Sequence, residues 1–220
     1  LNTPESREGN LIRYSVYVVG YLMAIGVIKL VTQKALLHIW DLVLFFLVAA
    51  MVLLFYIYRF NREQRFFARD YYIPWLSDFG LIIGLTLAVV ATRIGVMYLQ
   101  SYNRISWYSF QISYLKHESS SMFWFLILAV GVVLPILQEF LATGFLFNYA
   151  FRENSQIAGI LGIVSSGLIF TILGFQPSLP LLVIDFLYGC LFAWSYLYTQ
   201  TMWLPIYLAV VSALLTVIMT

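Results

Sequence analysis

Charge is what this chain has least of: 10% of its 220 residues are Asp, Glu, Lys or Arg, where a soluble domain carries about 25%. So few charges cannot cover a water-facing surface, and a soluble globular fold is excluded. The formal net charge of +2 is too small for a phosphate-binding surface, so no nucleic-acid partner is expected. Cysteine is nearly absent too. With Cys190 alone, the chain can build neither an internal disulfide nor a thiolate metal site. There are two histidines, His38 and His117, too few for the imidazole clusters on which many metal sites depend.

What is present is apolar. Hydrophobic residues make up 62% of the chain and aromatic residues 18%. The apolar runs are continuous rather than alternating, which predicts membrane helices and not a barrel. Seven segments have the length of a bilayer span: Leu11–Val31, Leu36–Tyr58, Ile73–Leu99, Met122–Ala150, Gln156–Phe175, Leu181–Tyr198 and Trp203–Ile218. The expected fold is an all-α, polytopic transmembrane bundle of about seven helices forming one integral membrane domain, 1–220. No internal repeat stands out. The opening stretch, Leu1–Asn10, is polar and unlike a signal leader. The missing initiator Met and the apolar run at Thr220 suggest a chain trimmed at one or both ends.

The stretches between the runs carry the topology. Arg59, Arg62, Arg65 and Arg69 crowd one short loop, as a cytoplasmic loop does. With the N-terminus inside, that side gathers Arg7, Arg13, Arg152 and these four, against Lys29, Lys34, Arg93, Arg104 and Lys116 outside. The expected orientation is N-terminus cytoplasmic and C-terminus outside, in a membrane taken to be a bacterial plasma membrane. Asp41 is expected at the water interface. Arg93, near the end of the third segment, reads as a snorkelling side chain unless it faces inward. Gln100–Ser121 is the longest polar stretch, with room for a short interfacial helix, and His117 reads as a solvated loop residue.

One stretch departs from this economy. Gln138-Glu139 lies inside a run otherwise apolar enough to span, three residues after Pro135. A carboxylate in hydrocarbon costs roughly 2.5–3.5 kcal/mol even on insertion scales, so Glu139 is a site candidate. Its structural reading is a hydrogen-bond acceptor for a Ser or Tyr on a neighbouring helix. Asp185, inside the sixth run, is the second such candidate, with Arg93 or a tyrosine as its expected partner. Ser165-Ser166-Gly167 and the glycines Gly144 and Gly189 suit close helix packing.

The last segments carry three motifs that together resemble a known family. Gln138-Glu139-Phe-Leu-Ala-Thr143-Gly144 resembles the Glu-Glu-x-x-x-Arg-Gly signature of the CPBP (CAAX protease and bacteriocin-processing, or Abi) family of intramembrane proteins. Ser165-Ser166 followed by Phe170 and Gly174 is similar to its Ser-Ser run and Phe-x-x-x-His. Phe186-Leu-Tyr-Gly189, then Trp203-Leu-Pro205-Ile206, looks like the lead-in to its His-x-x-x-Asn.

The resemblance covers residues 122–220 and leaves 1–121 as additional helices and loops. It implies that active members hold a metal or an activated water with glutamates and histidines, steadied by the arginine. Carried over position by position, the first glutamate is Gln138, the arginine Thr143, the histidines Gly174 and Ala209, and the asparagine Ala213, so that only Glu139 keeps its type. Gly174 is expected nearer the outer face than Glu139. The expectation is therefore a degenerate, non-catalytic member without cofactor, a pseudo-protease. It would bind another membrane protein, a transmembrane peptide or a lipid-like ligand in the former active-site cavity, as in bacteriocin immunity or regulation of a membrane sensor kinase. Two alternatives stand beside it: an intramembrane peptidase built around Glu139 with Asp185, for which zinc would be the cofactor, and a transporter or transporter subunit.

Overall fold

The computed structural model describes residues 7–34, 36–63, 79–116, 119–151, 155–176 and 178–220. Among them are eight helices and no strand: α1 (Arg7–Thr32), α2 (Ile39–Arg62), α3 (Phe79–Ser101), α4 (Ser109–Lys116), α5 (Ser120–Ala150), α6 (Gln156–Gly174), α7 (Leu179–Thr199) and α8 (Trp203–Ile218). Each of the seven apolar runs contains one long helix, and α4 lies in the polar stretch before α5. The fold is a polytopic helix bundle in the bilayer. His117, Arg65, Arg69 and Arg152 lie outside the described residues, and so does the start of the third run, 73–78.

Six of these helices are long and apolar enough to cross a membrane; α8, with 16 residues, is shorter. It rises only about 24 Å at ~1.5 Å per residue, against a hydrocarbon core of ~30 Å. The helix cannot start earlier, because Gln200 adopts a left-handed conformation (φ 58°) that closes α7, and the first turn of α8 forms only at Trp203.

Local chemistry sets the other boundaries. The hydroxyls of Ser119 and Ser155 accept the N–H groups of Met122 and Ala158, satisfying donors left over at the starts of α5 and α6. Pro180 sits in the first turn of α7, where its missing N–H costs nothing. Asp41 accepts the His38 N–H at 3.2 Å and pairs with Lys34, tying the α1–α2 turn together.

Helix α5 runs through the middle of the bundle. On one side it meets the α1–α2 hairpin through a mostly aromatic core, in which the Tyr17 ring stacks on Phe145 at 4.1 Å and Tyr56, Phe45, Phe140 and Leu141 are buried. On the other side a second core of Ile82, Val89, Phe170, Phe192 and Leu208 joins α3, α6, α7 and α8. The side chains of Leu54, Leu87, Ile160 and Leu187 face outward and are exposed, as lipid contact requires.

Two close approaches fix the bundle. Gly167 of α6 and Gly189 of α7 face each other, and a Cβ built on Gly189 would stand 2.9 Å from the Gly167 Cα. At one membrane end, buried Glu63 accepts Tyr17 O–H at 2.8 Å and pairs with Arg59 at 2.6 Å and Arg13 at 3.5 Å, which clamps α1 to the end of α2.

Candidate functional site

The geometry of the site begins with an irregularity of α5. Its hydrogen bonding widens to π-type turns over Ala129–Val133 and again over Phe140–Phe145. Pro135 offers no N–H to the preceding turn and its ring crowds the carbonyl four residues back, so the widened turn before it accommodates the proline. π-Turns of this kind recur at functional sites, and here they bracket Gln138 and Glu139.

Those two neighbours are sent to different places. The Gln138 side chain donates from Nε2 to the Phe170 carbonyl at 2.8 Å and lines a cavity of about 110 Å³. Glu139, turned about 100° further round the helix, does not line it. It is fully buried, with Oε2 accepting the Thr143 hydroxyl at 2.9 Å and Thr143 in turn 3.3 Å from Ser166 Oγ. Its Oε1 has no hydrogen-bond partner among the described residues.

The cavity brings together positions far apart in sequence. Gln138 of α5, Phe170 and Gly174 of α6, Asp185 of α7, and Ala209 and Ala213 of α8 all line it, as does Arg93 of α3. Gly174 was expected nearer the outer face than Glu139. Helices α5 and α6 are antiparallel with a short connection, and positions about equally far from it meet, so Gln138 reaches Phe170 and Gly174 sits one turn beyond. Thr143 and Glu139 are left behind this wall, where the Thr143 hydroxyl meets Ser166.

Arg93 does not snorkel. It is 6% exposed, with Nε donating to Ser212 Oγ and Nη1 to the Tyr108 hydroxyl, each at 2.7 Å, and the guanidinium lies over the Tyr188 ring at 4.2 Å. Tyr108 also donates to Asp185 Oδ1 at 3.3 Å. Arg93 and Asp185 are thus linked through a tyrosine rather than by direct contact. Asp185 Oδ2 points at α6, where a Cβ added to Gly174 would stand 3.2 Å from it.

Tyr108 and Ser212 are the residues sequence reasoning did not single out. Nothing marks Tyr108 among 16 tyrosines. Ser212 had a signal: it lies three residues after Ala209, on the same helix face, and is the polar residue there.

The donor set bears on any metal. Zinc asks for three or four N, S or O ligands, and the cavity wall offers one carboxylate, Asp185, beside a guanidinium, with amide groups from Gln138 and Gln176. Among the described residues no three His, Cys, Asp or Glu side chains gather closely enough to hold an ion. The residues present do not fit a zinc centre. Nor do Glu139 and Asp185 form a pair, since only the second reaches the cavity.

No curated protein and no solved structure matches this chain. A family model does: residues 120–215, which supply α5, α6, α7 and most of α8, match type II CAAX prenyl endopeptidase, Rce1-like. These are the helices that hold Gln138, Gly174, Asp185, Ala209 and Ala213 around the cavity, and it is this C-terminal part of the chain that is similar to the CAAX-protease-type membrane proteins of the Rce1-like family.

Proposed function

We propose that the protein is a non-catalytic member of this family, in which the former reaction cavity serves as a binding site for another membrane protein or a lipid-like ligand. One observation carries this reading. The positions that the motif resemblance assigns to a glutamate, two histidines and an asparagine converge on one cavity as Gln138, Gly174, Ala209 and Ala213. An amide is not a base at neutral pH, and Gly and Ala offer no ligand atom or proton. The polar groups that do line the space come from elsewhere, Arg93 and Asp185 above all, and hydrogen bonds already hold them. A general base must reach the proton it takes, and Glu139 is walled off behind Thr143 and Ser166. A binding role of this sort suits bacteriocin immunity or regulation of a membrane sensor kinase, the non-catalytic roles that the resemblance implies.

The test joins two measurements on the full chain in nanodiscs. Elemental analysis is expected to find no stoichiometric zinc. A farnesylated peptide ending in a CAAX sequence, incubated with zinc supplied and then with a chelator, is expected to be cleaved at the rate of empty nanodiscs. One ion per chain together with chelator-sensitive cleavage would overturn the reading.

A further inference from the structure

The cavity holds two opposite charges that do not neutralise each other directly. Arg93 and Asp185 are both more than nine-tenths buried, and among the described residues no carboxylate makes an ion pair with Arg93. A guanidinium has five N–H donors. Ser212 takes one and Tyr108 another, which leaves three on a side chain that lines the cavity.

The acceptors across from it are also incompletely used. Asp185 spends Oδ1 on Tyr108 and holds Oδ2 beside Gly174. Gln138 and Gln176 each donate one N–H to a backbone carbonyl, at 2.8 Å and 2.9 Å. The Gln176 Oε1 is buried with no hydrogen-bond partner among the described residues. The remaining wall is largely apolar, with Val130, Leu134, Phe110 and Ala213 in it.

This pattern selects a ligand chemistry. A carboxylate would satisfy Arg93 but meet the charge of Asp185, and an amine would do the reverse. An alcohol offers only a single hydroxyl to the two ends. A neutral amide presents a carbonyl acceptor and an N–H donor on one planar group, and it gives up less solvation on entering an apolar site than any ion. We propose that the cavity binds an amide group carried on an apolar chain, its carbonyl taken by Arg93 and its N–H by the carboxylate of Asp185. The assignment rests on the reading of this cavity as a binding site rather than a reaction site.

The test uses the full chain in nanodiscs with three photoreactive probes, each a diazirine-bearing dodecyl chain ending in a primary amide, an alcohol or a carboxylate. The amide probe is expected to label the cavity-lining peptides around 130–138 and 209–216, with label displaced by excess dodecanamide and reduced about tenfold in Arg93→Leu. Should that variant fail to fold, Ala213→Phe fills the same space without removing a charge, and the same loss is expected. Equal labelling of the cavity by all three probes, or amide label spread over lipid-facing residues such as Leu87 and Ile160, would overturn the assignment while leaving the non-catalytic reading standing. Hydrolysis of the amide probe to dodecanoate by the protein would overturn that underlying reading and the assignment with it.

Discussion

Single residues decide how close the helices of the C-terminal half can come. A methyl group on Gly167 would stand 2.6 Å from Cys190 Sγ and 2.9 Å from the Phe186 carbonyl oxygen. The second of these is backbone and cannot step aside. Overpacking of this kind costs about 1–3 kcal/mol, so Gly167→Ala is expected to lower the thermal unfolding midpoint in detergent. Gly84 has nothing within 4 Å of its built Cβ. Gly84→Ala should leave the midpoint unchanged or raise it slightly, since Ala is favoured over Gly in a helix interior by about 0.5–1 kcal/mol. Equal effects at the two sites, read in the same melt, would show that α6 and α7 do not pack through Gly167. The small-residue run Ser165-Ser166-Gly167 announced this contact in the sequence. Nothing in the sequence showed that Ser166 would also face Thr143 and help close Glu139 away, because that depends on the rotation of α5 through its π-turns.

At the scale of elements, α4 acts as a cap whose polar anchor is one side chain. Gln111 is fully buried; its Oε1 accepts the Tyr108 N–H at 2.9 Å, and its Nε2 donates to the Thr216 carbonyl at 3.2 Å and to Thr220 Oγ1 at 3.0 Å. An eight-residue helix is too short to be stable on its own; these bonds tie it to the end of α8, while Phe110 and Tyr114 pack it against the core shared with α1 and α5. Gln111→Leu should cost about 1–3 kcal/mol through the polar groups left unpaired. Hydrogen exchange is expected to quicken in residues 109–116 and to stay unchanged in α1 and α2. Uniform acceleration across all helices would mean that α4 is part of the general fold and not a separately docked cap. A short helix in this stretch was legible from its mix of polar and aromatic residues. Its role was not, because Thr216 and Thr220, the partners of Gln111 on and beside α8, lie more than a hundred residues away in sequence. The π-turns of α5 left no pattern either; Pro135 predicted a disturbance in the helix but not its form.

For the whole molecule, apolar runs and motif spacing made three things legible: a membrane bundle, helices in the right places, and a C-terminal half resembling the family that residues 120–215 match. Hidden from the sequence was what surrounds the motif positions in space. Asp185 Oδ2 lies 3.2 Å from where a side chain at position 174 would begin, and Arg93, carried by a helix outside the matched segment, lines the same cavity beside Ala209 and Ala213. Both halves of the chain therefore contribute to the cavity, and this bears on whether the family's residue types can be accommodated there. A variant carrying Gln138→Glu, Gly174→His, Ala209→His and Ala213→Asn restores every residue type that the resemblance calls for at the cavity. An imidazole at 174 would collide with the Asp185 carboxylate, and new ligands on α8 would share their space with the Arg93 guanidinium, which repels a cation. The expected outcome is a protein of lower melting temperature that binds no zinc and does not cleave a farnesylated CAAX peptide. Adding Arg93→Leu and Asp185→Ala should recover part of the lost stability by relieving the crowding. If the four-residue variant alone takes up one zinc per chain and cleaves the peptide, then Arg93 and Asp185 are no barrier, and the cavity has kept its reactive shape.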